Sequence, residues 1–372
     1  MNRRLPSRYS FRRRVVPRFP CWGTSGSTLL LLLWASVVSL AAAARGTAED
    51  AGSASGRNKA LPALAMQARQ DPASGQIDIS ESGKPVLRYN YKTIEPGELL
   101  DKVTPANRIY ARARSDYIHP LFDLNGEALT RDWPVDHPHH RGIYWAWPEV
   151  GYGTNRGDLH ALQKVFARPT GKVRLHSGPA FAQVEAENLW LWEDREPIAR
   201  EEVIIRASCA TAQGRVIDLA FRFTALKEGV TIARRGTDKY GGLSLRMATP
   251  ASQVISVHTD PSHAAPRRAW SDLSGVFGGA NVASGLTVLQ HQRNPDYPGD
   301  WEQYPELSWC QPTFPAAGAR YTLRRDQPLL LRYRLFVHAG AKPDERVVMT
   351  LWDSFHSPAA ALPAFGPSKA QE

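Results

Sequence analysis

Residues Asp136–Trp147, DHPHHRGIYWAW, place three imidazoles within four positions, at His137, His139 and His140. Asp136 precedes them, Arg141 follows, and His119 and Asp132 lie a short way upstream. Side chains of these types support two kinds of chemistry. Unperturbed imidazole titrates near pH ~6.5, so a histidine here can give or take a proton at neutral pH, with Asp132 or Asp136 orienting its ring. Arg141 can hold a carboxylate or an oxyanion. The same donors can instead bind a metal, since a catalytic zinc needs three such ligands and an open position. In an extended segment His137 and His139 point to one side and His140 to the other. A divalent metal, if held, is therefore expected on His119, His137 and His139. The H-E-x-x-H spacing of helical zinc sites is absent, and Pro138 favours a loop or an edge strand. Taken singly, each histidine reads as a loop residue bonded to backbone; the cluster as a whole reads as a site.

Two further segments carry candidate contacts. HQRNPDYPGDWEQYPEL is a polar, Pro-rich stretch that offers His291, Asn294, Trp301 and Tyr304. Functional residues concentrate in such loops on β scaffolds, although an ordered loop covering a sheet edge has the same composition. GTDKYGGLSLR adds Lys239 and Arg246, the latter lining a cleft or facing solvent. Together with His119 and Asp132 these form the expected substrate contacts. Eleven tryptophans are many for this length. Trp145 and Trp147 share one face of a strand, as do Trp190 and Trp192, and read as core. Trp133 and Trp301 stand at strand ends, where flat aromatic faces suit sugar rings.

The elements that must position these residues are strands. In VIDLAFRF, Ile217, Leu219, Phe221 and Phe223 alternate with polar or small residues; LLLRYRLFVHAG and GGLSLRMA behave alike. Such alternation predicts half-buried strands. Asn125-Gly126 in FDLNGEAL is a strong hairpin signal. Helical periodicity is scarce apart from a short helix near Asp344–Phe355, and no internal repeat is visible. An all-β, large antiparallel two-sheet sandwich follows. Cys209 and Cys310 either pair or stay as separate thiols.

Residues 1–44 read as a signal peptide: seven arginines and no acid, then the apolar run Leu29–Leu40, then four alanines. That run is shorter than the ~20 residues a membrane-spanning helix needs. The pattern predicts export to the periplasm or beyond, with an uncleaved anchor as the alternative. The leader also explains most of the +10 charge, because the remaining 39 Lys and Arg against 36 Asp and Glu leave +3. No basic stripe for nucleic acid remains. Residues 45–75 read as a flexible linker, 76–356 as the folded domain and 357–372 as a disordered tail. There is no nucleophile elbow, P-loop or zinc-ribbon spacing.

YIHPLFDLNGEALTRDWPVDHPHHRGIYWAW, GTDKYGGLSLRMA, GLTVLQHQRNPDYPGDW and LLLRYRLFVHAG together resemble the PmoA-like family, a bacterial domain of unknown function also labelled methane oxygenase, over nearly all of residues 76–355. The resemblance implies a large β-sandwich similar to the galactose-mutarotase supersandwich, and hence a carbohydrate or glycoside ligand. The expected function is an exported hydrolase, lyase or epimerase acting on a sugar, with Asp136, His137, His139, His140 and Arg141 as the catalytic group. A non-catalytic glycan-binding sandwich is the alternative, and the family label adds a metal-dependent oxygenase as a third reading. No cofactor motif stands out; a divalent metal stays open.

Overall fold

The computed structural model describes residues 65–258, 269–279, 281–357, 362 and 365. The expected signal peptide, most of the expected linker and nearly all of the expected tail lie outside these residues. Strands dominate, joined in antiparallel ladders. The first eight-stranded sheet runs, edge to edge, through Met66–Asp71, Gln76–Glu81, Lys84–Asn90, Tyr117–Leu121, Ile143–Ala146, Gly242–Arg246, Trp309–Pro312 and Trp301–Tyr304. The second runs through Ala251–Val257, Trp270–Val276, Ala283–Gln290, Leu329–Ala339, Gly214–Ala225, Glu196–Ser208, Phe181–Trp192 and Val165–His176. A smaller sheet joins Arg320–Thr322, Thr231–Ala233, Glu149–Tyr152 and Asn155–Gly157. Among the described residues no helix is long and apolar enough to cross a membrane.

The two large sheets share one apolar core because the period-two pattern gives each an apolar inner face. Ile143, Trp145, Leu243 and Leu245 project from the first sheet toward Ile217, Leu219, Phe221, Phe223 and Leu331 of the second. Trp145 and Trp147 do share a face, their rings stacked at 4.4 Å and 5°. Trp145 meets Phe221 edge-on at 4.8 Å, and Trp147 lies 5.5 Å from Trp190. The hairpin at Asn125-Gly126 forms, with Phe122 paired to Ala128 and Asp123 Oδ1 accepting from the Asn125 and Glu127 amides. The short helix spans Glu345–Phe355, with Asp344 capping the Arg346 amide.

Two expectations need correction. The fold begins before residue 76: Met66–Asp71 pairs in full register with Gln76–Glu81, and Met66 is completely buried. The stretch is short and polar, so only its tertiary pairing marks it as a strand. Second, the polar face of the first sheet is covered rather than solvated. Tyr117, Tyr144, Ser244, Arg246 and Trp309 all lie on it, and all are buried beneath loops. Within the expected tail, the described residue Phe365 lies against the Arg222 guanidinium, 5.0 Å from ring centroid to carbon. Cys209 and Cys310 are separate thiols; Cys310 is buried against Ser271, and burial pushes its pKa up to about 12.

One polar group interrupts the core. Asp116, preceding a strand of the first sheet, and Glu201, from the second, share a buried hydrogen-bonded pocket with Tyr89, Asn188 and Trp190. Burial and the neighbouring carboxylate raise Glu201 well above the ordinary carboxylate range, and burial raises Asp116 too. Two carboxyls buried in one pocket disfavour the doubly charged form, so the two titrate as a pair.

Candidate functional site

The covered face of the first sheet is where the sequence motifs meet. Asp132 and Arg141 pair across the base of a hairpin whose tip is Trp133–His140. The tip is coiled: the His137 amide bonds to Pro134 O at 3.1 Å, the His140 amide to His137 O at 2.9 Å, and the Trp133 amide to His140 O at 3.3 Å. Pro134 and Pro138 cannot donate these bonds, and their fixed φ suits the turns. Because the tip turns, the extended-strand parity fails. His139 and His140, expected on opposite sides, face the same centre.

Arg141 anchors the hairpin. Its Nε donates to Asp132 Oδ1 at 2.5 Å and its Nη2 to Asp132 Oδ2 at 3.2 Å, and Nη2 also donates to the Tyr117 hydroxyl. The guanidinium lies 3.5 Å from the Trp133 ring centroid. Arg141 is wholly buried, and a guanidinium so placed must be paired. The ion pair ties both residues into the base of the hairpin through Nε and Nη2, while Arg141 Nη1 is buried without a hydrogen-bond partner. Trp133 is likewise taken up by Arg141.

The third imidazole comes from elsewhere. His160 sits in the turn Asp158–Gln163, closed by reciprocal backbone bonds of 2.7 Å between those two residues. Asp158 Oδ1 accepts from the Ala161 amide, and its Oδ2 from Arg235. Arg114, buried over the Tyr144 ring, donates to the carbonyls of Leu159 and His160. These bonds press His160 onto the hairpin tip. Ring centroids are 4.6 Å apart for His139–His140, 4.6 Å for His139–His160 and 5.3 Å for His140–His160. One nitrogen from each of the three lies within 4.8 Å of the others, a set able to hold a metal. Burial, then the neighbouring histidines and arginines, lowers His139 to about 3 and takes His140 and His160 well below the ordinary imidazole range.

Above the cluster opens a cleft of about 760 Å³, lined among others by Tyr110, His137, His139, His160, Arg235 and Tyr240. His137 stands at its mouth, with Nδ1 3.0 Å from Asp136 Oδ2. Beneath the cleft an aromatic run continues the floor: Trp309 stacks near His140 at 5.7 Å and on Tyr304 at 4.9 Å, and Tyr240 lies edge-on to Trp309.

The sequence of residues 76–353 matches the profile of a family of unknown function, DUF6807. The chain belongs to that family. The DUF6807 description assigns no activity and does not carry the methane-oxygenase label. No curated protein sequence matches the chain.

Within this DUF6807 domain the expected site residues divide. Asp136, His137, His139 and His140 converge, and Arg246 lies buried on the same sheet face, next to Trp309 in register. Tyr304 joins through Trp309. His119 does not join the metal set: its Nδ1 is 3.0 Å from Thr130 Oγ1, and burial lowers its pKa. His291 packs on Phe355 and His356 of the C-terminal helix segment, and Asn294 clamps the Arg332 backbone through both its amide atoms. Trp301 packs against the main core, and the Lys239 side chain is exposed outside the cleft lining. The polar loop therefore serves the fold at its start and the site only at Tyr304. His160, Arg235, Tyr240, Tyr144 and Trp309 were not expected. A lone histidine in DLHALQ carries no local signal; only the turn closed by Asp158 brings it in.

Proposed function

We propose that this chain is an exported carbohydrate-active enzyme, a hydrolase, lyase or epimerase that works on a sugar or glycoside in this cleft. The observation that carries the reading is the cleft itself: roomy, open at one side, flanked by the aromatic rings of Tyr110 and Tyr240 and floored by buried imidazoles. Aromatic faces suit the apolar faces of pyranose rings, and a few convergent polar groups fix orientation. The hydrogen-bonded Asp136–His137 pair offers an acceptor and a donor to ring hydroxyls at the mouth. Two eight-stranded sheets around one core support the supersandwich likeness that the motif resemblance implies, a fold-level analogy that adds little about chemistry. Export rests on the basic, alanine-ended leader.

The test is to incubate the purified full chain with a panel of glycosides, oligosaccharides and free sugars and to follow products by mass spectrometry and NMR. Product from at least one substrate is expected, with Tyr240→Ala raising KM about tenfold, the equivalent of about 1.4 kcal/mol of lost stacking. Saturable binding with no product would replace the enzyme by a glycan-binding sandwich. Neither binding nor product would remove the carbohydrate reading.

A further inference from the structure

We propose that His139, His140 and His160 hold one divalent transition-metal ion of the zinc class, and that Tyr144 positions the His160 ring from behind. The proposal deepens the carbohydrate reading of the same cleft, and rests on it only for what the ion would act upon.

Geometry comes first. The three ligand nitrogens already lie within 4.8 Å of one another. A tetrahedral ion bound at 2.0–2.1 Å spaces its nitrogens about 3.4 Å apart, so modest ring rotations close the set. Next are the buried atoms that lack a use. Among the described residues, Nδ1 of His139 and Nδ1 of His140 are buried without a hydrogen-bond partner. An orphaned buried polar atom costs about 1–3 kcal/mol, and two side by side in one cluster call for a ligand. His160 completes the pattern. Its Nδ1 is 3.1 Å from the Tyr144 hydroxyl, so the proton sits on Nδ1 when Nε2 is the ligand. A metal-binding histidine with its second nitrogen tied to an outer oxygen is the arrangement that fixes tautomer and ring orientation.

The donor set selects the ion. Three imidazoles and no carboxylate suit zinc, copper, nickel or iron, and not calcium or magnesium, which demand oxygen. Arg114, directly behind on the His160 carbonyl, further disfavours an ion bound by charge alone. His139 and His160 both line the cleft, so the remaining coordination position opens toward substrate. Three protein ligands plus an open position is the pattern of a catalytic rather than a structural zinc.

The experiment strips the full chain with chelator, then titrates it with Zn²⁺ alone and with Co²⁺ alone. Elemental analysis should find one ion per chain, and the cobalt form should show visible d–d absorption. His139→Gln and His160→Gln should each lose at least 100-fold in affinity, and Tyr144→Phe about 10–100-fold with unchanged stoichiometry. His119→Gln should bind like the unmodified chain. If His160→Gln does not fold, His139→Gln, at a less completely buried position than His160, carries the comparison. No uptake by the unmodified chain overturns the proposal, as does uptake that both variants leave unchanged. Metal uptake with neither sugar binding nor sugar product upholds the site and removes the carbohydrate reading. Sugar turnover that survives chelation, with no uptake, does the reverse.

Discussion

Arg141 and Asp132 hold the hairpin tip in place by mutual neutralisation in a buried setting. Removing one partner leaves the other charge without compensation, which costs more than the pair contributes. Asp132→Ala is accordingly expected to lower unfolding free energy by about 3–5 kcal/mol in urea titrations. A loss below about 1 kcal/mol would show that the guanidinium finds another partner. Asn294 sets a contrasting case. Its side-chain amide both donates to and accepts from the Arg332 backbone, so Asn294→Ala should destabilise the fold by about 1–3 kcal/mol while leaving cleft chemistry intact in the folded fraction. Equal melting curves with a lost activity would return that residue to the site.

Gly142 joins the hairpin to the sheet, and its backbone has φ +63°. A Cβ there would collide with the Ile118 carbonyl on the neighbouring strand. Gly142→Ala should therefore cost at least about 1–3 kcal/mol from backbone strain, with the collision added, read as a fall in melting temperature. Because His140 lies two residues away, the same variant should disturb the imidazole cluster; cobalt binding weakened beyond the stability loss would show it. This element also marks how far sequence reasoning reached. Strand parity was legible at Trp145–Trp147 and Leu243–Leu245 because side-chain direction in a strand is a local property. Parity misled at His137–His140 because two prolines turn that segment back on itself. Nothing local relates His160 to His139; a turn closed twenty residues downstream does so. Similarly, His291 and Asn294 have the composition of site residues, and only the docking of Glu345–Phe355 shows that they support packing.

The molecule as a whole carries its acid–base liability between the two large sheets. Glu201 and Asp116 are raised in the folded state relative to ordinary values of 4.5 and 3.8. Above about pH 4.5 the folded protein then holds more protons than the unfolded chain, and stability declines as pH rises through the raised folded values. Tyr89, Asn188 and Trp190 face the pair without charge, and the nearby Arg114 guanidinium offsets burial only in part at Asp116. Glu201→Gln keeps the Trp190 contact without an ionisable proton, so its melting temperature should fall less steeply toward alkaline pH than that of the unmodified chain. Parallel profiles would mean that the pair does not govern the slope. The sandwich architecture was readable from repeated alternation, whereas this pair was not, because its members lie far apart in sequence and only sheet stacking joins them.

The indoles of Trp145 and Trp147 lie nearly parallel at 4.4 Å, while Trp190 stands at 55° to Trp147 from the opposite sheet. Transition dipoles so close share their excitation, and the skewed third ring gives the coupled trio a handedness. The circular dichroism of the native protein should thus contain an exciton couplet in the aromatic region that reports contact between the sheets. In a state that keeps strands but loosens their packing, the couplet should vanish while the backbone signal persists. The protein carries in this trio a built-in optical gauge of whether its two halves are closed.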